Sequence, residues 1–185
     1  MRCLERLFRR AALALSFSEG FHPKPRMTFP LALAVGIEGV EEVMEVELAE
    51  RYTAEELLRR LAPQAPPGLV FRAVEVLPDG SRKAQAQSAS YEVPIPSARQ
   101  AGLRERIERL LAAASWPIER AQGRAPIDLR PLLSELALRE GALEMRLRVD
   151  RRGSVGPREV LSALGLADLE SQGVRLRRTA VEVCA

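Results

Sequence analysis

The chain is short of cysteine, histidine, lysine and unbroken apolar sequence, and each shortage removes a class of function. Its two cysteines, Cys3 and Cys184, stand at opposite ends of 185 residues. They form neither a disulfide framework nor a metal-ligand spacing, and a reducing, cytoplasmic compartment is expected. The single histidine, His22, has only Glu19 as a titratable partner close to it in sequence, which leaves no self-sufficient catalytic or metal site. The longest apolar stretch, Phe29 to Ile37, is broken by Pro30 and Gly36 and falls far short of the ~20 residues that a bilayer requires, so no membrane contact is expected. No glycine-rich phosphate loop is present, and no cofactor is expected. Lysine occurs only at Lys24 and Lys83. Arginine supplies the other basic charges, a bias that base composition or growth temperature explains more simply than selection for phosphate binding.

What is present is a globular balance. Apolar residues make up 46% of the chain and charged residues 29%, enough burial to offset chain entropy, and the length admits one domain or two small ones. The net charge of +3 permits nucleic-acid contact without requiring it. Its distribution says more. Arg2, Arg6, Arg9, Arg10, Lys24 and Arg26 crowd the stretch from Met1 to Pro30, and Glu38, Glu41, Glu42, Glu45, Glu47 and Glu50 follow it, which predicts a basic face and an acidic face. The Arg-rich N-terminus runs straight into strand-like sequence without a processing signal, so it reads as part of the fold rather than as a transit peptide.

Leu4, Leu7, Phe8, Ala11, Ala12 and Leu15 recur at helical spacing and predict an amphipathic helix from the first residue. Leu15 and Phe17, alternating with Ser16 and Ser18, predict a strand, as do residues 27–33, 44–48 with their alternating glutamates, and 69–77. Thr53 and Glu56 form a capping box for a helix that Pro63 to Gly68 ends. The polar run 78–89 reads as a linker. Residues 91–95 then predict a strand that Pro94 and Pro96 mark as an edge or a short element, and 97–100 a second capping box for a helix bearing Leu103, Ile107, Leu110 and Leu111. A short strand over 118–121 follows, then a hairpin from 135–139 and 143–149, a helix over 157–164 stopped by Gly165, and a closing strand over 174–183. The expected fold is therefore α+β with two tandem ferredoxin-like (split βαβ) halves, 1–79 and 90–185, joined by a linker over 80–89. The first half lacks its opening strand. In that topology the strand lies inside the sheet, and its loss leaves ladder groups unpaired at about 1 to 3 kcal/mol each. The translated protein is therefore expected to start upstream of Met1, or the first sheet to be incomplete.

The densest chemistry lies in Ser18-Glu19-Gly20-Phe21-His22-Pro23-Lys24-Pro25-Arg26. The prolines stiffen the segment and alternate with His22, Lys24 and Arg26, so two cations and an imidazole are presented with little entropy left to lose on binding. Such a loop suits a phosphate or a carboxylate. In a purely structural alternative, His22 caps backbone groups and Phe21 plugs the core. Acid/base chemistry would pair His22 with Glu19. The glutamates over 41–47 fit a solvated sheet face better than a metal site. Gly153-Ser154-Val155-Gly156-Pro157 reads as a turn with proline at a helix start in preference to an anion site, and Arg175, Arg177 and Arg178 read as a solvated strand face or a basic stripe.

The Ser18 to Arg26 loop resembles the radical-SAM-linked protein family, a bacterial domain of unknown function found beside, or fused to, a radical SAM protein. The family's GFHPxPR core stands here as Gly20 to Arg26, preceded by Ser18-Glu19 where Ser-Gln is common. Ile127-Asp128-Leu129-Arg130-Pro131, the Gly153-Ser154-Val155 turn with Pro157 and Glu159-Val160-Leu161, and the closing Arg178-Thr179 also match. The similarity spans nearly the whole chain, although family members usually carry a strand and turn before the first helix. The resemblance implies a partner, the radical SAM protein, and no reaction. The chain lacks the cysteine triplet that holds a radical SAM cluster. The expected function is that of a non-catalytic accessory module that works with this protein and presents an RNA or a protein substrate. In that role Lys24, Arg26, Arg9 and Arg10 contact anion and His22 orients it. Two alternatives stand beside it. One is a metal-independent RNA-processing nuclease with His22 as acid or base, from the resemblance of the tandem layout to such endonucleases, and the other is a pure protein-docking domain.

Overall fold

Nine residues with apolar side chains at Leu4, Leu7 and Phe8 and arginines between them form helix α1 (Arg2–Arg10) in the computed structural model, which describes residues 2–119, 125–150 and 153–184. Ala12, at φ 52, breaks the helix with a left-handed turn that brings Leu13 back into the core. Pairing then comes in fragments: β1 (Met27–Thr28), β2 (Ile37–Gly39) and β3 (Glu45–Val46), with β3 antiparallel to β1. Helix α2 (Ala54–Leu61) starts where the capping box predicts, since Thr53 Oγ1 accepts the Glu56 amide at 3.1 Å. Its Leu57 and Leu61 join Leu7, Phe8, Ala11, Leu13 and Met27 in one buried cluster.

The fold is mixed α+β, and the chain divides into two compact units. Residues up to Phe29 and Met44–Lys83 make the first, while Pro30–Val43, which carries β2, belongs with Ala84–Cys184 in the second. Two expectations for the first half differ from the structure. The strand over 27–33 stops at Thr28, because Pro30 has no amide hydrogen for a ladder and the chain passes there into the second unit. The strand over 69–77 does not form. Leu69, Phe71 and Val74 pack on the first unit's core without a ladder, so packing alone accounts for the apolar pattern.

The second unit continues with β4 (Gln85–Pro94), α3 (Ser97–Gln100), α4 (Leu103–Ala112), β5 (Pro117–Ile118), β6 (Ile127–Asp128), β7 (Leu133–Arg139), β8 (Ala142–Asp150), β9 (Gly153–Ser154), α5 (Pro157–Ala163) and β10 (Leu176–Cys184). Its sheet has the order β2-β10-β4-β8-β7, with β2 parallel to β10 and the other neighbours antiparallel. Alternate residues of β4 (Ala89, Tyr91, Val93) and β8 (Leu143, Met145, Leu147) share a core with Leu103, Ile107 and Leu110 of α4 and with Val160 and Leu161 of α5. The Glu140-Gly141 turn has φ 48 and 80, a two-residue type I′ connection, and Gly165 at φ 69 ends α5, both as the sequence predicts.

The Gln/Ser/Ala run read as linker enters a strand at Gln85. Small, polar side chains there are paired on both sides, by β10 and by β8, so neighbours rather than hydrophobicity decide the conformation. For the same reason β4 is interior and not an edge. Pro94 falls on its last register pair, opposite Ala142, where the ladder ends and a missing amide costs least. Residues 97–100 make their own short turn, and α4 starts after Gly102, at φ 67, without a side-chain cap. Ile118 pairs with Ile127, while residues 120 and 121 of the strand expected over 118–121 lie outside the described residues. Among the described residues, no helix is long and apolar enough to cross a membrane.

Candidate functional site

The 18–26 loop is sewn shut at its base. The Ser16 amide donates to the Glu47 carbonyl at 2.9 Å, the Glu47 amide to the Arg26 carbonyl at 2.9 Å, and the Arg26 amide to the Ser16 carbonyl at 2.8 Å, a closed ring of three peptide groups. One step further out, the Ser18 amide donates to the Lys24 carbonyl at 2.8 Å and Ser18 Oγ accepts the Lys24 amide at 3.0 Å. Residues 19–23 form the tip, turned by Gly20 at φ 114, a conformation that glycine adopts without steric cost. At that tip the Phe21 side chain is 101% exposed. It does not plug the core, as the structural alternative had it.

The site residues expected from sequence are therefore only partly gathered. His22 and Lys24 are exposed on the loop, with no side-chain partner among the described residues. Arg26 Nη1 lies 3.1 Å from Glu47 Oε2, and both side chains are about half exposed, so solvent weakens the pair. Arg10 is held elsewhere: its Nε donates to Gln64 Oε1 at 3.3 Å and its Nη2 to the Gln64 carbonyl at 2.7 Å. Arg9 is exposed on α1. The loop carries an apolar tip and no large surplus of charge, since Glu19 offsets Lys24 and Glu47 offsets Arg26.

The acidic run divides between the two units, Glu38, Glu41 and Glu42 in the second and Glu45, Glu47 and Glu50 in the first, and most of it is paired. Glu38 pairs with Arg177 at 3.0 Å, Glu42 with Arg178, and Glu47 with Arg26. Glu45 accepts from Thr28 Oγ1 at 3.2 Å and Glu50 from the Tyr52 hydroxyl at 2.7 Å. Among the described residues, no group of three His, Cys, Asp or Glu side chains is placed to hold a metal ion.

The remaining sequence motifs hold the fold together. Asp128 Oδ1 accepts the Trp116 amide at 2.7 Å and the Arg130 amide at 3.0 Å, and Arg130 donates to the carbonyls of Leu111, at the end of α4, and Leu133, at the start of β7. Leu129 between them is fully buried. Gly153 sits at φ 147, a conformation that favours glycine, while the one atom a Cβ would crowd, Ile127 Cδ1 at 2.9 Å, ends a side chain that can shift. The Gly156 amide donates to Glu159 Oε2 at 2.6 Å at the start of α5.

The family model described as an uncharacterized protein conserved in bacteria (DUF2344) matches residues 1–157, a span that takes in the 18–26 loop, the 127–131 turn and Gly153 to Pro157. The chain belongs to this family. No curated protein and no solved structure matches it.

Within this DUF2344 protein the structure also departs from the sequence expectation at the C-terminal arginines. Arg178, expected on a solvated strand face, is only 1% exposed. Its Nε donates to Glu42 Oε1 at 2.8 Å, its Nη2 to the other oxygen of Glu42 and to the Leu31 carbonyl at 2.9 Å, and its Nη1 to the Ala32 carbonyl at 3.1 Å. Burial disfavours the charge, but the Glu42 carboxylate and the Tyr91 side chain outweigh it and hold the guanidinium pKa above its ordinary value. Arg158 grips the same segment, donating to the Val35 carbonyl at 2.8 Å and to Glu170 at 2.5 and 2.7 Å. The signal was present in the strand alternation, which puts Arg178 on the face of buried Leu176.

Among the described residues, four carboxyl groups sit below the usual range. The amide of Trp116 stabilises the Asp128 carboxylate, Arg99 that of Asp168, Arg158 that of Glu170 and Arg146 that of Glu182. A folded-state pKa depressed in this way adds stability that is complete above the unfolded value and is lost as pH falls through the folded one. The urea midpoint is expected to stay level from neutral pH down to about 5 and to decline below about 4. Asp128→Asn is expected to make that decline shallower. A midpoint that does not change on acidification rules these carboxylates out as contributors.

Proposed function

We propose that this DUF2344 protein is a non-catalytic accessory module that docks on a protein partner through the tip of the 18–26 loop, and that the partner is the radical SAM protein implied by the loop's resemblance. The observation that carries this reading is Phe21, wholly exposed at the end of a loop whose base is closed by five hydrogen bonds. Burying such a side chain in a partner contributes about 1.5 to 3 kcal/mol, aromatic residues are favoured anchors of interfaces, and a pre-ordered loop loses little entropy on binding. The near balance of charge around the tip suits an apolar pocket with a polar rim better than a polyanion.

Presentation of RNA is the second reading, supported by an aromatic ring beside His22 and Lys24, the ingredients of a stacking platform. The nuclease alternative has less behind it, since His22 has no carboxylate within ion-pair distance among the described residues. Free, exposed Cys3 and Cys184 fit a cytoplasmic location. The ferredoxin-like reading of the second unit is supported by its strand order, in which β4 lies between β10 and β8 with β7 outside β8. In the first unit only ladder fragments and the order of elements speak for a tandem repeat.

Phe21→Ala is expected to change folding stability by no more than about 0.5 kcal/mol, as for an exposed residue, and to weaken binding to the radical SAM protein by roughly tenfold or more. Titration calorimetry of the full chain with that protein measures this. Salt-sensitive binding of single-stranded RNA that depends on Phe21, with no protein binding, would transfer the site to the second reading. Equal binding by Phe21→Ala in both assays sinks the docking role of the loop.

A further inference from the structure

The sheet of the second unit ends on a strand whose outer edge is open. β7 lies at the end of the strand order, paired with β8. The two-residue turn at Glu140-Gly141 makes Arg139 and Ala142 a hydrogen-bonded pair, so by alternation Ala137 and Glu135 also direct their amides and carbonyls to β8. Leu136 and Leu138 therefore direct theirs outward. Beside this edge runs an open groove of about 310 Å³, walled by Arg104, Ile107 and Glu108 of α4 and by residues 136–139. Ile107, Leu136 and Leu138 give it an apolar floor. A Cβ on Gly141 would lie 3.4 Å from Gln100 Nε2, so the hairpin turn adjoins the start of α4, which places Arg104 and Arg139 toward the same end. Arg139 is only loosely held, 3.6 Å from Glu144 with both side chains exposed. At the opposite edge, β2 has three residues and Arg177 is paired with Glu38 across it.

We propose that this edge and groove bind an extended segment of a partner protein, which adds to β7 as a further strand. Its alternate apolar side chains lie over Ile107, and a Glu or Asp side chain meets Arg104 and Arg139. Three features select this occupant: outward amides that only another backbone satisfies in register, an apolar floor that takes every second side chain, and a lining with two cations against the single Glu108. A long edge left without such a partner is a hazard that folded proteins otherwise block with charge or cover. The site is distinct from the 18–26 loop and stands or falls independently of it.

The test uses the full chain, isotope-labelled, and two fluorescein-labelled peptides, Glu-Val-Thr-Val-Thr-Val and Lys-Val-Thr-Val-Thr-Val. Saturable anisotropy is expected for the first peptide, with the Leu136 and Leu138 amides shifted and slowed in hydrogen exchange. The second peptide is expected to bind roughly tenfold more weakly, and Arg104→Glu, an exposed substitution, to reverse the preference. Lack of saturation at millimolar peptide overturns the proposal. So does binding that leaves the Leu136 and Leu138 amides unchanged, or that ignores the sign of residue 104.

Discussion

Truncating Arg178 to alanine is expected to destabilise the second unit by about 2 to 4 kcal/mol, because it removes a buried guanidinium that binds a partly exposed carboxylate and two backbone carbonyls. The loss comes less from the vanished attraction than from what stays behind. The Glu42 carboxylate loses its fork, and the Leu31 and Ala32 carbonyls lose the donors that Arg178 supplies. Arg178→Lys is expected to recover only part of the loss, because one ammonium cannot meet a carboxylate bidentately and two carbonyls from the same position. Arg178→Met combined with Glu42→Leu is expected to be less harmful than Arg178→Met alone, since the double change leaves no carboxylate without its counter-charge. Urea unfolding of the four variants measures this, and amide exchange of Ile37–Gly39 locates it, because β2 is the strand that the arginine secures. If Arg178→Ala costs under about 1 kcal/mol, the buried pair is not what holds the Pro30–Val43 segment.

Phe8→Ala is expected to cost a similar amount, about 3 to 5 kcal/mol, for the loss of a fully buried aromatic and the cavity left behind. The effect is large relative to its setting. The first unit's buried cluster comprises Leu7, Phe8, Ala11, Leu13, Met27, Leu57 and Leu61, and a small core has few neighbours able to relax into a void. Amide exchange should show it directly, with the Leu57 and Leu61 amides of α2 losing protection. Unchanged protection there, with a fall of less than about 1 kcal/mol in overall stability, would mean that the first unit does not depend on this core.

Local signals were legible in the sequence. The Thr53 cap, the Glu140-Gly141 turn and the Gly165 stop each depend on a few adjacent residues, and each stands where the sequence places it. The strand through Gln85 to Ser90 was hidden, because its conformation comes from β10 and β8, far away in sequence. The apolar runs at 27–33 and 69–77 misled in the opposite direction: an alternating pattern records burial, and burial without a ladder leaves the same trace. At the candidate site, the two prolines and the GFHPxPR match marked the loop correctly as a fixed presentation. They could not reveal that Phe21 faces water or that Arg10 is bound to Gln64, since those facts depend on the contacts of the folded chain. The pairing within the acidic run was hidden too, because Glu38, Glu42 and Glu47 take their arginines from distant parts of the sequence.

The Pro30–Val43 segment has a consequence for how the gene can be divided. A break anywhere in 80–89 separates Arg178 and its strand from Glu42, Leu31, Ala32 and the parallel neighbour at Ile37–Gly39. The downstream piece would expose a guanidinium built for concealment, and the upstream piece would carry a tail with nowhere to lie. Recombination between relatives at that apparent seam is therefore expected to join mismatched parts.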